Sequence, residues 1–271
     1  MKQNQVQQKE IRLGTHGENY GSWMSNPVFY VIGALLALSV VLAVLSFAVF
    51  HITALGVVFV IAAVILLALL LWCAWIRRQY AFGGGGMMER THLVILSHLD
   101  FDGQGQLLEV GCGSGPLSIR AALTWPSAQV VGIDYWGADF GYNQTMCEKN
   151  AASEGAAARC VFKHGDANKL DFPDESFDAV VSNYVYHNVM GADRQALLLE
   201  TLRVLKKGGV FALNDEMKPR LYGNMEAFAQ KLRDMGYEDV RLIDTATEAF
   251  GSCRRAAMMM LGASRMLVGR K

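Results

Sequence analysis

The sequence predicts a doubly wound α/β domain, a mostly parallel sheet of seven strands with helices on both faces, preceded by two transmembrane helices. Three observations predict it. From residue 106 onward, short apolar runs alternate with segments of helical period, the pattern of parallel strands joined by helical crossovers. The stretch Leu107-Leu108-Glu109-Val110-Gly111-Cys112-Gly113-Ser114-Gly115 reads as a buried strand entering a glycine-rich turn before a helix. Upstream, no Asp, Glu, Lys or Arg occurs from Asn19 through Ile76, where two apolar runs lie back to back.

Residues 1–26 are polar and read as a short tail or an interfacial helix. The apolar runs at 28–50 and 55–76 are each a little over 20 residues, about 33 Å as helix against a hydrocarbon core of roughly 30 Å. Only His51-Ile52-Thr53-Ala54 separates them, so residues 27–77 are predicted to form a hairpin that returns the chain to its starting side. A cleaved signal peptide fits poorly, because the first run is too long, starts late and is followed at once by a second. A pair of buried core helices is the other reading, and neither run has the polar stripe it needs.

Lys2, Lys9 and Arg12 precede the hairpin and Arg77-Arg78 close it, while the turn carries no Lys or Arg. The positive-inside rule then places both termini and the following domain on the cytoplasmic side of a cell membrane. Trp23, Tyr30, Trp72 and Trp75 fall near the span ends, as interfacial anchors do.

Residues 78–105 are predicted as a hinge and a lead-in helix. Gly83-Gly84-Gly85-Gly86 is too permissive to hold a helix and reads as a linker or as a loop that folds over a ligand. An amphipathic helix at 87–99 follows, ending before Asp100-Phe101-Asp102-Gly103. The domain at 106–271 has expected strands at 106–110, 129–133, 160–163, 177–182, 209–214, 239–244 and 264–268, and helices at 117–124, 142–154, 193–205 and 225–235. Gly236 is placed as a helix C-cap and Gly208-Gly209 as the turn into the fifth strand.

Composition agrees with a domain plus apolar spans. The chain of 271 residues is 52% hydrophobic and 18% charged, below the roughly 25% of an ordinary soluble domain. A net charge of zero provides no electrostatic footprint for nucleic acid. The five cysteines, Cys73, Cys112, Cys147, Cys160 and Cys253, show neither paired nor metal-type spacing, so free thiols are expected and no metal ligand is assigned.

The glycine turn carries the first chemistry. Gly111, Gly113 and Gly115 let the backbone turn tightly and approach a ligand, and a helix starting near Pro116 aims its amides at whatever sits there. A dinucleotide fingerprint wants its third glycine where Pro116 stands, which disfavours a nicotinamide-dependent oxidoreductase. The second strand ends on Asp134, about 20 residues beyond the turn, where a carboxylate accepts both ribose hydroxyls. The bland reading of Asp134 is a helix N-cap. Gly165-Asp166-Ala167 ends the third strand, with an acid able to accept from an adenine amine; the bland reading of Asp166 is a turn aspartate. The fourth strand delivers Asn183 to the cleft at the topological switch point.

In this order and spacing the chain resembles the class I S-adenosylmethionine-dependent methyltransferases, particularly the broad group acting on small molecules, quinones and lipids. The resemblance rests on residues 109–115, 132–134, 165–167, 177–183 and 202–209 and leaves out the hairpin. It implies a Rossmann-like methyltransferase fold, with Gly111, Cys112, Gly113 and Gly115 under the methionine part of the cofactor and Glu109 near its ammonium. It also implies Asp134 on the ribose, Tyr135 or Trp136 against the adenine, Asp166 and Ala167 on the adenine edge, and Asn183 with Tyr184 on the methyl-facing side.

Methyl transfer from a sulfonium needs chiefly positioning, and a base only where the nucleophile arrives protonated. His187 is the candidate, since imidazole changes charge near neutral pH; the alternative is a histidine that caps or packs the next helix. Tyr184, Tyr186 and Met258-Met259-Met260 are candidates for the acceptor pocket, although methionines there are more often core. The expected function is a membrane-anchored methyltransferase acting on a small or lipidic acceptor by in-line displacement. The alternative is an S-adenosylmethionine-binding membrane sensor or partner without turnover. The acceptor atom stays open, as does oligomeric state, although hairpins pair through small residues such as Gly33.

Overall fold

The structure, a computed structural model, describes residues 11, 13–22, 24–83, 85–137 and 141–271. Lys2, Lys9, Arg12, Trp23 and Gly84 of the sequence reading lie outside the described residues.

Two helices open the described chain, α1 (Asn26–Ala48), with proline in its first turn, and α2 (Thr53–Tyr80). They run antiparallel. At the turn, a Cβ on Gly56 would lie 2.6 Å from the Phe47 ring, so only glycine lets the two helices approach there. At the open end, Arg77 Nη1 donates to Asn26 Oδ1 at 2.7 Å while its guanidinium sits 5.2 Å over the Phe29 ring. Both helices are long and apolar enough to cross a membrane, and only 11% and 6% of their most apolar stretches are buried. Val31, Val44, Val64 and Leu71 point outward. A core helix pair would bury those side chains, so that reading does not hold.

The glycine run is a tight turn in its described part. A Cβ on Gly85 would collide with Gln79 Oε1, and Gly86 takes φ 67° to start α3 (Met87–His98). The hinge expected there is therefore folded back on the end of α2.

The sheet contains β1 (Gly105–Val110), β2 (Ala128–Asp134), β3 (Cys160–His164), β4 (Phe177–Asn183), β5 (Leu205–Glu216), β6 (Glu238–Ile243) and β7 (Ser264–Arg270). Their order is β3-β2-β1-β4-β5-β7-β6, with β7 antiparallel to both neighbours and the other pairs parallel. The order of strands across the sheet reverses between β1 and β4, which opens a cleft at their carboxyl ends. One face is covered by α3, α4 (Pro116–Thr124) and α5 (Gln144–Ser153), burying Ile95, Leu117, Ile119 and Cys147. The other is covered by α6 (Arg194–Arg203) and α8 (Met225–Asp234), burying Leu198, Leu202, Phe228 and Leu232. A short α7 (Pro219–Tyr222) lies between β5 and α8.

Several boundaries move for local reasons. The helix expected at 142–154 starts at Gln144 because the Asn143 side chain accepts the Met146 N–H, which leaves Tyr142 outside the helix. The helix expected at 193–205 starts after Asp193, which caps the Gln195 N–H, and ends at Arg203. Gly208-Gly209 lies inside β5, where the register with β4 shifts, rather than in a turn before it. Gly208 takes φ 78°, and a Cβ on Gly209 would lie 2.9 Å from the Lys206 carbonyl oxygen, so the pair forms a bulge. Two six-residue helices between β6 and β7, α9 (Thr245–Phe250) and α10 (Cys253–Met258), were not expected.

The segment before α1 is not a free tail where it is described. Leu13 and Tyr20 are buried in the core beside α4 and α5. The Asn19 N–H donates to Asn150 Oδ1 at 3.0 Å, Ser114 Oγ donates to the Tyr20 carbonyl at 2.9 Å, and Arg120 Nη1 donates to the Ile11 carbonyl at 2.9 Å. Residues 13–22 thus strap the glycine-turn end of the domain and lead directly into α1.

Candidate functional site

The turn after β1 is held open by backbone geometry. Gly111, Gly113 and Gly115 take φ of 75°, 57° and 89°, values that L side chains rarely adopt. The Gly111 and Cys112 amides donate to the Ile133 carbonyl at 2.7 and 2.9 Å, fastening the turn to β2. Asp134 then reaches across: its Oδ2 accepts the Gly113 N–H at 2.8 Å and its Oδ1 accepts the Trp136 N–H at 2.7 Å. Trp136 Nε1 completes the clasp by donating to the Gly113 carbonyl at 2.8 Å. Each carboxylate oxygen keeps a lone pair, so Asp134 retains acceptor capacity at the cleft. It caps no helix, since α5 begins ten residues later at Gln144.

Of the two aromatic candidates, Trp136 packs onto the turn, whereas Tyr135 is 64% exposed with its ring 5.3 Å from His164. Tyr142 sits where a Cβ on Gly113 would meet its ring at 3.5 Å. Gly111 is the tightest position: an added Cβ would collide with Val185 Cγ2. Gly111→Ala is therefore expected to cost about 1–2 kcal/mol from left-handed backbone strain alone, and more from the Val185 contact. Thermal melts check this, and Val185→Ala in the same chain should restore only the contact part.

Glu109 is buried under the turn, 2% exposed, with Ser118 Oγ donating to its Oε2 at 2.5 Å. Burial pushes its carboxyl up to about 8, and the charge on Asp134 adds to the rise. The Cys112 thiol is likewise raised well above the ordinary range by burial, which makes it an inert packing group.

At the end of β3, Asp166 Oδ1 accepts from both the Asn168 N–H and Asn168 Nδ2 at 2.8 Å, so this oxygen does the work of a turn aspartate. The turn is nonetheless tied to the cleft, because the Gly165 N–H donates to the Asp134 carbonyl at 2.9 Å. Ala167 packs against the core of the α6 face.

On the β4 side, Asn183 Oδ1 accepts from Asn214 Nδ2 at 2.8 Å. Tyr184 takes φ 58° and turns its ring into a cluster of Met87, Phe250 and Met259, with its hydroxyl 3.0 Å from Ser264 Oγ. Burial pushes that hydroxyl up to about 12. Tyr80, at the end of α2, joins the same cluster and donates to the Met259 carbonyl at 2.8 Å. Met259 is core, while Met258 and Met260 are exposed. Tyr186 is fully buried with its hydroxyl 2.9 Å from Thr201 Oγ1, so it belongs to the core and not to an acceptor pocket.

His187 lies in the 3-10 turn Tyr186–Asn188, facing a residue that sequence reasoning missed. His187 Nδ1 is 2.5 Å from Asp215 Oδ1, and the His187 N–H donates to Asp215 Oδ2 at 3.1 Å. Asp215 is fully buried and also accepts the Glu216 N–H at 2.6 Å and the Tyr222 hydroxyl at 2.8 Å. Burial and the Asp215 charge raise the Tyr222 hydroxyl far above its usual range, which keeps it a donor. A carboxylate can only accept here, so Nδ1 carries a proton, and in the neutral ring the tautomer this selects presents the Nε2 lone pair. The signal was present in the sequence: an acid one residue beyond the expected fifth strand, at the carboxyl edge.

Residues 108–213 match the family described as Methyltransferase domain. Among curated proteins, the chain is 31% identical over 134 residues to the ubiquinone/menaquinone biosynthesis C-methyltransferase UbiE of Desulfotalea psychrophila, covering 49% of this chain and 50% of that one. It is 32% identical over 134 residues to the 27-O-demethylrifamycin SV methyltransferase of Amycolatopsis mediterranei, covering 48% and 46%. The chain spans about half the length of these relatives. Among solved structures, the geranyl diphosphate C-methyltransferase of Streptomyces coelicolor shares the fold at TM-score 0.52 and 13% identity, over 68% of this chain and 79% of that one. The cyclase SpnF shares it at TM-score 0.52 and 21% identity, over 67% and 80%.

Proposed function

From a chain that carries a methyltransferase domain over residues 108–213, we propose a membrane-anchored enzyme that moves the methyl group of S-adenosylmethionine to a small or lipidic acceptor by in-line displacement. One observation carries this reading. The Asp134-clasped glycine turn and the His187–Asp215 pair stand at the carboxyl ends of adjoining strands, a cofactor cradle beside a positioned base.

The residues fit the cofactor. Gly111, Gly113 and Gly115, with the Cys112 backbone between them, form a cradle that a Cβ at Gly111 would disrupt. Asp134 holds the ribose through its remaining lone pairs, Trp136 takes the adenine side in preference to exposed Tyr135, and Asp166 with Ala167 borders the adenine edge. Glu109 supplies a buried carboxylate for the ammonium. Bound there, S-adenosylmethionine supplies an electrophilic methyl on a sulfonium. Asn183 borders the methyl-facing side, held by Asn214. His187 Nε2 takes the acceptor's proton, and Asp215 fixes the tautomer and steadies the imidazolium that forms. Tyr184 acts one layer out, as part of the wall that joins β4 to α2.

Two observations favour delivery from a membrane. The faces of α1 and α2 are apolar and exposed along their length. The end of α2 is also bonded into the wall behind β4 through Tyr80 and Met259, so the hairpin and the acceptor side are one packed unit. Arg77 and Arg78 at the end of α2 support, by the positive-inside rule, a reading with the domain and both termini on the cytoplasmic side of a cell membrane.

The test is to incubate membranes containing the protein with methyl-labelled S-adenosylmethionine and separate label among lipid, aqueous and protein fractions. Label in the lipid fraction, absent with Asp134→Ala, is the expected result. Aqueous label would reduce the hairpin to a localisation device. No label with cofactor binding intact would replace the enzyme by a binding protein.

A further inference from the structure

The strap before α1 holds a second polar cluster, away from the cleft. His16 and Glu18 lie on the strap, and Glu154 caps the carboxyl end of α5. The Glu18 side chain is 0% exposed and that of Glu154 3% exposed, yet one ligand atom from each of the three residues lies within 4.8 Å of the others. Two carboxylates buried side by side are costly unless positive charge stands between them.

Each carboxylate has one oxygen already committed. Glu18 Oε2 accepts the His16 N–H at 2.8 Å. Glu154 Oε1 accepts the Tyr20 hydroxyl at 3.0 Å and the Gly14 N–H at 2.8 Å. The other two oxygens converge on His16 Nδ1, Glu154 Oε2 at 3.2 Å and Glu18 Oε1 at 3.5 Å, with Thr15 Oγ1 3.4 Å from the same nitrogen. Glu18 Oε1 is buried and receives no hydrogen bond. Outer hydrogen bonds that fix a carboxylate while leaving one oxygen bare are how proteins prepare metal ligands.

The spacing of the two oxygens from the nitrogen fits as well. A tetrahedral ion about 2.0–2.2 Å from nitrogen and oxygen donors keeps its ligands about 3.4 Å apart. We propose that His16 Nδ1, Glu18 Oε1 and Glu154 Oε2 bind a first-row divalent cation, of which Zn2+ and Mn2+ suit one imidazole with two carboxylates. Two negative charges and one divalent ion cancel, and the solvent-facing side at His16 leaves room for water to complete the coordination. Cysteine spacing carries no sign of this site, because its donors come together only across 136–138 residues of chain. Bound there, the ion pins the strap to α5 beside Ser114 and Asn150, and so fastens the glycine-turn end of the domain to the start of α1.

The full chain in detergent, treated with chelator, is titrated with Zn2+ and separately with Mn2+. One saturable equivalent of either ion is expected, weakened by Glu18→Gln and by His16→Ala by more than the roughly 10–100-fold that loss of an outer hydrogen-bond partner costs. Hydrogen exchange of residues 13–22 should slow on adding the ion to the parent and not to the variants. Unchanged thermal melts in the metal-free state establish that the variants fold, and His16, with its exposed ring, is the variant least able to disturb packing. Parent and variant titrations that coincide, or no saturable binding of either ion, overturn the proposal and leave the contacts among His16, Glu18 and Glu154 as structural only.

Discussion

Asp215→Asn is expected to lower kcat for methyl transfer by about 10²–10⁴-fold, and His187→Gln to do the same, with cofactor affinity changed less than about threefold. The carboxylate of Asp215 accepts four hydrogen bonds, two at each oxygen, and each oxygen serves one backbone N–H. An amide has one acceptor oxygen. Whichever way the substituted side chain turns, its NH2 group faces a backbone donor, and where it faces His187 Nδ1 it forces the proton onto Nε2. The base is then lost although the ring stays in place, as in a triad whose aspartate is made neutral. Tyr222→Phe removes one donor and leaves the tautomer intact, so its effect on kcat is expected to stay within about tenfold. Single-turnover rates, cofactor titration and a melt on each variant check this. Unchanged turnover in His187→Gln would remove the histidine from the chemistry.

The parts of the site legible in the sequence are those that local spacing encodes. A glycine turn after an apolar strand, an acid at the end of the next strand and a strand that delivers Asn183 are each decided within a few residues. The sheet then brings them to one edge because parallel strands joined by helical crossovers share a carboxyl end. What local spacing does not encode is pairing between distant segments. The role of Asp215 depends on His187, 28 residues away. The strap has the polar composition of a tail, and its partners Asn150 and Glu154 lie more than 130 residues on. Its place after the fourth strand aims Tyr184 at the cleft, but its left-handed backbone turns the ring toward α2 and α9, and no periodicity reveals a φ of 58°. The bulge at Gly208-Gly209 follows the same rule, since a tight turn and a bulge call for the same two glycines.

Glu109→Gln is expected to separate two things that burial has tied together. In the folded protein the carboxyl is raised to about 8 from an ordinary value of 4.5, with burial as the main cause. The unfolded chain therefore loses this proton first. The contribution of Glu109 to stability is fully present below pH 4.5 and is lost as pH rises through 8. Glutamine has no proton to lose, so the variant should melt higher than the parent at alkaline pH, by an amount on the order of a few kcal/mol, and the gap should close toward pH 5. Cofactor binding should move the opposite way. An ammonium group beside the carboxylate favours its charged form, so the variant should bind about 10–150-fold more weakly, the worth of one hydrogen bond between charged groups. The decisive readout is the proton. At about pH 6.5, where an α-ammonium is protonated, calorimetry in buffers of different ionisation enthalpy should show the parent releasing close to one proton on binding the cofactor, and the variant none. Equal proton release from both would place the ammonium elsewhere and leave Glu109 as a buried carboxylic acid serving only Ser118.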